Sequence, residues 1–320
     1  MLRRGTLAAA LAATLLLAAA GAAADKPRAT VVAGGDLMFD RGCRRPTRER
    51  GAAGLLAAIG PHLRRADVAL ANLECPLTTR ETPVPKQHAF RCVPEVAGGL
   101  KTAGFRVLSL ANNHSIDQGR EALLETRRAL EGAGLVAIGA GPDAGRARMP
   151  AILRAGPLTI AFLAYYAMPI EGLAPLADAP APARLDEARL AEEVAAARRQ
   201  ADAVVVTVHW GVEHRTLPTA TQERLGRALV DAGASLVLGH HPHVLQPIER
   251  YRDGVIAYSL GNLVFDQHQP ERRLSAILQC ELGRGAPACA PIPLVIDGCA
   301  PRRADPAARR RVEQLLAGGR

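Results

Sequence analysis

The sequence predicts a layered α/β fold built around a largely parallel sheet. Strand-like apolar runs alternate with helix-like segments along most of the chain, as in repeated βα units. The run at 203–208 (AVVVTV) is almost continuously apolar, as expected of a strand covered on both faces. Five runs end directly in polar residues of ligand type, and in such folds ligands bind at the carboxyl ends of the strands.

Taken in order, 30–36 (TVVAGGD) predicts a strand ending in two glycines and Asp36; glycine lets the backbone turn and approach a ligand closely. Residues 52–65 predict a helix with Leu55, Leu56, Ile59 and Leu63 on one face. A second strand, 68–74, ends in Asn72 and Glu74, and the Pro- and Thr-rich stretch 75–93 predicts a loop. A helix over 95–103 stops at Gly104, and a strand over 105–110 runs into Asn113 and His114. An amphipathic helix at 119–132 and a short strand at 135–138 follow. Residues 151–153 and 158–164 predict a hairpin turning at Gly156-Pro157, and 167–183 a long surface loop. A helix over 185–199 precedes the 203–208 strand, which runs into His209. Thr219 and Gln222 have capping-box spacing for a helix ending near Gly233. The apolar run from Leu236 ends in Gly239-His240-His241-Pro242-His243. A hairpin around Asp253-Gly254 and strands near 274–281 and 293–296 complete the pattern.

The ends of the chain read differently. Arg3 and Arg4, an apolar run over 7–20 and Ala22-Ala23-Ala24 have the form of a signal peptide at 1–24. That places the mature chain outside the cytoplasm, periplasmic or extracellular, or held at the membrane if the leader is kept. The core domain is assigned to 28–300. Residues 301–320, with six arginines at 302–320 against Asp305 and Glu313, are expected to form a basic, flexible tail. The formal net charge is +9, yet aromatic and basic residues do not interleave, so nucleic acid is not an expected partner. All six cysteines follow residue 24, and an even count in an exported chain favours disulfides. Sequence alone leaves 15 pairings open; Cys75 and Cys92, bracketing the loop after Glu74, are the expected pair.

Asp36, Asn72 with Glu74, Asn113 with His114, His209, and His241 with His243 are the five strand-end groups. Three of nine histidines fall within 240–243. In an extended segment the His241 and His243 side chains share a side, and His240 is expected to point the other way. Carboxylate, imidazole and amide donors suit Mn²⁺, Fe or Zn²⁺ rather than a thiophilic ion.

The blocks GGDLMFDRG (34–42), NLECPLT (72–78), SLANNHSIDQG (109–119), VHWGVEH (208–214), LGHHPHVLQPIE (238–249) and YSLGNLVFDQ (258–267) resemble the signature blocks of the CapA/PgsA family of capsule and poly-γ-glutamate synthesis proteins. The resemblance spans roughly 29–270. It implies a four-layer αββα sandwich of metallophosphatase type holding one or two divalent ions. By the same resemblance the metal ligands are Asp36, Glu74, Asn113, His209, His241 and His243. His114 would be the general acid, and Asp117 is expected to position His114 or to start the next helix. The wider superfamily opens with D-x-H, whereas Asp36-Leu37-Met38 carries no His, which leaves one metal position short of a ligand. Asn72, Glu213, Asn262 and Asp266 are expected near the substrate or behind the ligands. Asn72 either orients Glu74 or caps the following turn, and Trp210 packs at the cleft rim. Two functions follow: a metal-dependent hydrolase or transferase on an anionic polymer such as poly-γ-glutamate or on a phosphoester, or a non-catalytic polymer-binding subunit of a membrane-bound capsule synthesis complex.

Overall fold

A computed structural model describes residues 27–319 apart from 170, 171, 174, 175 and 284. The expected signal peptide at 1–24 lies outside the described residues. Along the first half run β1 (Ala29–Leu37), α1 (Arg44–Leu55), α2 (Gly60–Arg65), β2 (Val68–Leu73), α3 (Val96–Ala103), β3 (Val107–Ser109), α4 (Arg120–Gly132), β4 (Val136–Ile138), β5 (Ala140–Gly141), β6 (Ala151–Ala155) and β7 (Leu158–Tyr166). Then come β8 (Ala181–Pro182), α5 (Glu187–Arg198), β9 (Ala203–His209), α6 (Ala220–Asp231), β10 (Leu236–His240), β11 (Leu245–Tyr251), β12 (Gly254–Leu260), β13 (Asn262–Val264), β14 (Leu274–Leu282), β15 (Ala288–Asp297), β16 (Ala300–Arg303) and α7 (Pro306–Leu316).

Two sheets face each other. One runs β16-β15-β14-β1-β2-β3-β4 with β13 paired to β1, the other β11-β12-β10-β9-β7-β6. Their centres, β1-β2-β3-β4 and β7-β9-β10-β12, are parallel, with antiparallel strands added at the edges. The period-two alternation of a strand assigns its side chains to two layers. Val31 and Ala33 face the space between the sheets, while Val32 packs with Leu55, Leu63, Leu100 and Leu123 beneath the helices outside. On the second sheet Val205 faces inward, and Val204 and Val206 pack against Val194 and Leu229 of α5 and α6. The result is the four-layer αββα sandwich.

Three expectations are corrected. The 52–65 helix is split: α1 ends at Leu55, residues 56–59 form a turn, and a new helix starts at Gly60 with Pro61 in its first turn. The four apolar residues of its expected face are nonetheless buried. The basic tail is ordered. Residues 300–303 extend the first sheet, and α7 buries Val312, Leu315 and Leu316 against Leu245, Leu274 and Ala276. Asp305 caps α7 by accepting from the Ala307 and Ala308 amides, so the domain runs past 300. Arg309, Arg310 and Arg311 lie on the outer face of α7, where their charge is solvated without loosening the helix.

Candidate metal centre

Glycines permit close backbone approaches at the strand ends: Gly35 of the first sheet against Gly261, and Gly239 against Tyr258 on the neighbouring strand of the second sheet. A side chain at Gly35 would place its Cβ 2.0 Å from the Gly261 carbonyl oxygen, and one at Gly239 would lie 1.9 Å from that of Tyr258. The Asp36 amide donates to Gly261 O at 3.0 Å. Register then aligns the site residues: Asp36 opposite Asn72, and His240 opposite His209.

All six expected ligands converge. The ligand atoms of Glu74, His241 and His243 lie within 4.8 Å of one another, as do those of Asp36, Glu74 and His209. His209 Nε2 is 2.8 Å from Asn113 Oδ1 and 3.6 Å from Glu74 Oε1, and His243 Nε2 is also 3.6 Å from Glu74 Oε1. Asp36 and Glu74 are fully buried, and His209, His241 and His243 nearly so. Both Glu74 oxygens and His241 Nδ1 lack hydrogen-bond partners. A buried ionised carboxylate without partners is costly, so its setting fits a cation.

Electrostatics agree with that fit. Burial, then the nearby Asp36 charge, pushes the Glu74 pKa well above the carboxylate range. Burial lowers His209 far below the usual imidazole value and, with His243 beside it, brings His241 down to about 4. His243 is lowered too, by burial against the pull of Asp36. Neutral imidazoles present free lone pairs, the form that binds metal. Burial raises Asp36, but hydrogen bonding and charge from His240 prevail and leave it below its ordinary value.

The His240–His243 segment differs from the extended strand expected of it. His241 has φ +96 and His243 φ +56, conformations that cost energy in non-glycine residues. This turn, rather than a two-residue alternation, brings both rings to the cluster. His240 does not point away: its Nδ1 is 2.9 Å from Asp36 Oδ1. Asn72 orients Asp36, not Glu74, donating to Oδ1 at 2.9 Å, and its own Oδ1 accepts from Asn112 Nδ2 at 2.9 Å. Asn262 Oδ1 lies 3.0 Å from His243 Nδ1 and orients that ring, the usual support for a ligating histidine.

His114 Nδ1 is 2.7 Å from Asp117 Oδ2, and the ring stacks on Phe90 with centroids 4.1 Å apart. Asp117 also accepts from Lys86 Nζ at 2.7 Å and the Phe90 amide at 2.6 Å. Burial lowers the His114 pKa, opposed by Asp117. Lys86, Phe90 and Asn112 escape a reading of the sequence. The first two lie in a loop with no periodic pattern, though a lone Lys and Phe between two cysteines are a faint signal. Glu213 is half-exposed and 3.4 Å from His214 Nε2. Asp266 stands apart from the ligands, holding Arg41 Nε and the Gly42 amide at 3.1 and 3.0 Å. Trp210 is buried under the second sheet's helices, not at the rim, and donates to Tyr258 O at 3.0 Å. The expected Cys75–Cys92 disulfide is present, with Cys43–Cys299 and Cys280–Cys289.

An αββα sandwich carrying a buried carboxylate–imidazole cluster at its strand ends has the architecture of the metallophosphatase class. Solved structures show the same fold. A phosphatase from Mycoplasma pneumoniae aligns with TM-score 0.56 at 13% identity over 91% of this chain and 100% of its own. A hypothetical protein from Thermus thermophilus aligns with TM-score 0.53 at 18% identity, covering 82% of this chain and 98% of its own. The chain belongs to the bacterial capsule synthesis protein PGA_cap family, whose profile matches residues 30–267. It is 35% identical over 251 residues to the PGA biosynthesis protein CapA of Bacillus subtilis, and 31% identical over 266 residues to the capsule biosynthesis protein CapA of Bacillus anthracis. These alignments cover 78% and 81% of this chain but 66% and 65% of the two relatives.

Proposed function

We propose that the chain is a metal-dependent hydrolase or transferase of capsule or poly-γ-glutamate biosynthesis, acting on an anionic polymer or a phosphoester. The observation that carries this reading is Glu74: a buried carboxylate with no hydrogen-bond partner, ringed by neutral imidazoles, beside an oriented His114–Asp117 pair. Glu74, Asn113, His209, His241 and His243 are the residues to hold the ion, and mixed N and O donors favour Mn²⁺, Fe or Zn²⁺. When bound, a divalent cation supplies Lewis-acid polarisation of a substrate oxygen and a lower pKa for water. The chain supplies the rest. Asp117 holds His114 Nδ1, so the proton that moves sits on Nε2. Burial of the imidazolium makes it a stronger acid toward a leaving oxygen, and Phe90 shields the ring from water.

The second reading is a polymer-holding subunit without turnover. Met38 favours it, because the side chain two residues after Asp36 is turned away, its Sδ accepting from the Asp40 amide at 3.0 Å. Three disulfides and no free cysteine among the described residues support an exported location, where a membrane-bound synthesis complex is the proposed partner. Metal content should be measured on purified wild type and on His209→Ala and His241→Ala, followed by turnover of poly-γ-glutamate and simple phosphoesters. Metal lost in both variants and metal-dependent turnover in the wild type are the expected results. Polymer binding without turnover in any metal moves the assignment to the second reading.

A further inference from the structure

We infer that the cluster holds a single cation on the Glu74 side, and that the protein's own donors, chiefly the His240 ring, close the Asp36 side. The inference rests on the metal-dependent reading above and deepens it.

An ionised carboxylate offers about four lone-pair sites. Asp36 Oδ1 is occupied by Asn72 Nδ2 and His240 Nδ1, each at 2.9 Å. Its Oδ2 accepts from the His241 amide at 3.2 Å, and His243 Nδ1 lies 3.5 Å away. Glu74 is the opposite case, equally buried with neither oxygen partnered. Facing it are His209 Nε2 and His243 Nε2, with Asn113 Oδ1 against His209 Nε2. His241 Nδ1 is buried and unpartnered as well.

A second group, Asp36, Glu74 and His209, shares only Glu74 with the group of Glu74, His241 and His243. Its other members add no free donor: Asp36 is already engaged, and His209 Nε2 is turned to Glu74 Oε1 at 3.6 Å and Asn113 Oδ1 at 2.8 Å. The Met38 thioether is committed to the Asp40 amide and adds no donor. An ion at Asp36 would also displace the His241 amide bond, which pins the turn with φ +96 that presents the His241 ring. Asp36 therefore shapes the centre from behind: it fixes the backbone that carries His241 and the ring of His240.

The test is to strip the full chain, load it with excess Mn²⁺, desalt it and measure bound metal per chain together with the EPR spectrum. The expected result is a single ion with an uncoupled Mn²⁺ signal. Two ions with a spin-coupled spectrum overturn the inference while leaving metal dependence standing. No bound ion overturns both. Asp36→Asn should still saturate at a single ion, with affinity reduced by the roughly 10–100-fold typical of losing a residue behind the ligands. Glu74→Gln should take up none. Folded Asp36→Asn, checked by circular dichroism, that binds no ion also overturns the inference. If that variant does not fold, wild-type stoichiometry and EPR decide the matter.

Discussion

At the scale of single residues, His114 and Lys86 separate chemistry from support. His114 lies beside Asn113 but bonds to Asp117, so His114→Ala should keep the metal and lower turnover by about 10²–10⁴-fold, the usual share of a general acid. Metal analysis and kinetics on one preparation check this; loss of metal with activity would make His114 a ligand. The Lys86 side chain is 3% exposed and bridges Asp117, the Asn113 carbonyl and the edge of His114. Lys86→Met leaves a buried carboxylate without its cation, and removing one member of a buried pair costs about 3–5 kcal/mol. Chemical denaturation should report a loss of that order. A change below about 1 kcal/mol, the usual worth of an exposed pair, would show that water replaces the ammonium.

At the scale of elements, the loop from Cys75 to Cys92 forms one wall of the centre. It carries Lys86 and Phe90 against His114, and two contacts pin its start: Thr78 and Arg80 both bond to Glu125 of α4. Its disulfide spans 17 residues, and closing a loop of that length stabilises by about 3 kcal/mol. Cys75→Ser/Cys92→Ser should lose stability of that size and bind metal less tightly, read by thermal melting with and without metal. The Thr78 hydroxyl, then Arg80, holds the Glu125 pKa below its ordinary value. A depressed carboxylate pKa adds stability above the unfolded-state pKa, and that stability is lost as pH falls through the folded value. Glu125→Gln should therefore flatten the acid limb of the stability–pH curve and leave its neutral-to-basic limb parallel to wild type. An acid limb as steep as wild type's would show that other carboxylates set it.

For the whole molecule, closure comes late in the chain. Cys43–Cys299 ties the exit of β1 to the last hairpin, and α7 covers the edge where β11 meets β14. Ending the chain at residue 304 would bare Leu245, Leu274 and Ala276. Losing three buried side chains should cost roughly 5 kcal/mol, visible as a lower melting temperature and aggregation. Wild-type melting of the truncated chain would show that α7 only decorates the fold.

Much of this protein could be read from the sequence alone. The layered α/β class, most elements to within a few residues and the six side chains that cluster at the strand ends were legible, because strand alternation and ligand-type strand ends are local patterns. The Cys75–Cys92 pairing was legible for the same reason, since the two residues bracket one loop. Tertiary structure alone decided the remainder. The 52–65 helix is split at the turn 56–59, before Gly60 and Pro61 open the next helix. The packing of α7 depends on an apolar edge made by strands far away in sequence. Asp36 meets His240 across 204 residues, and Lys86 meets Asp117 across 31. No periodicity encodes such pairs. Burial selects them, because a charge taken out of water needs a partner wherever the chain can deliver one.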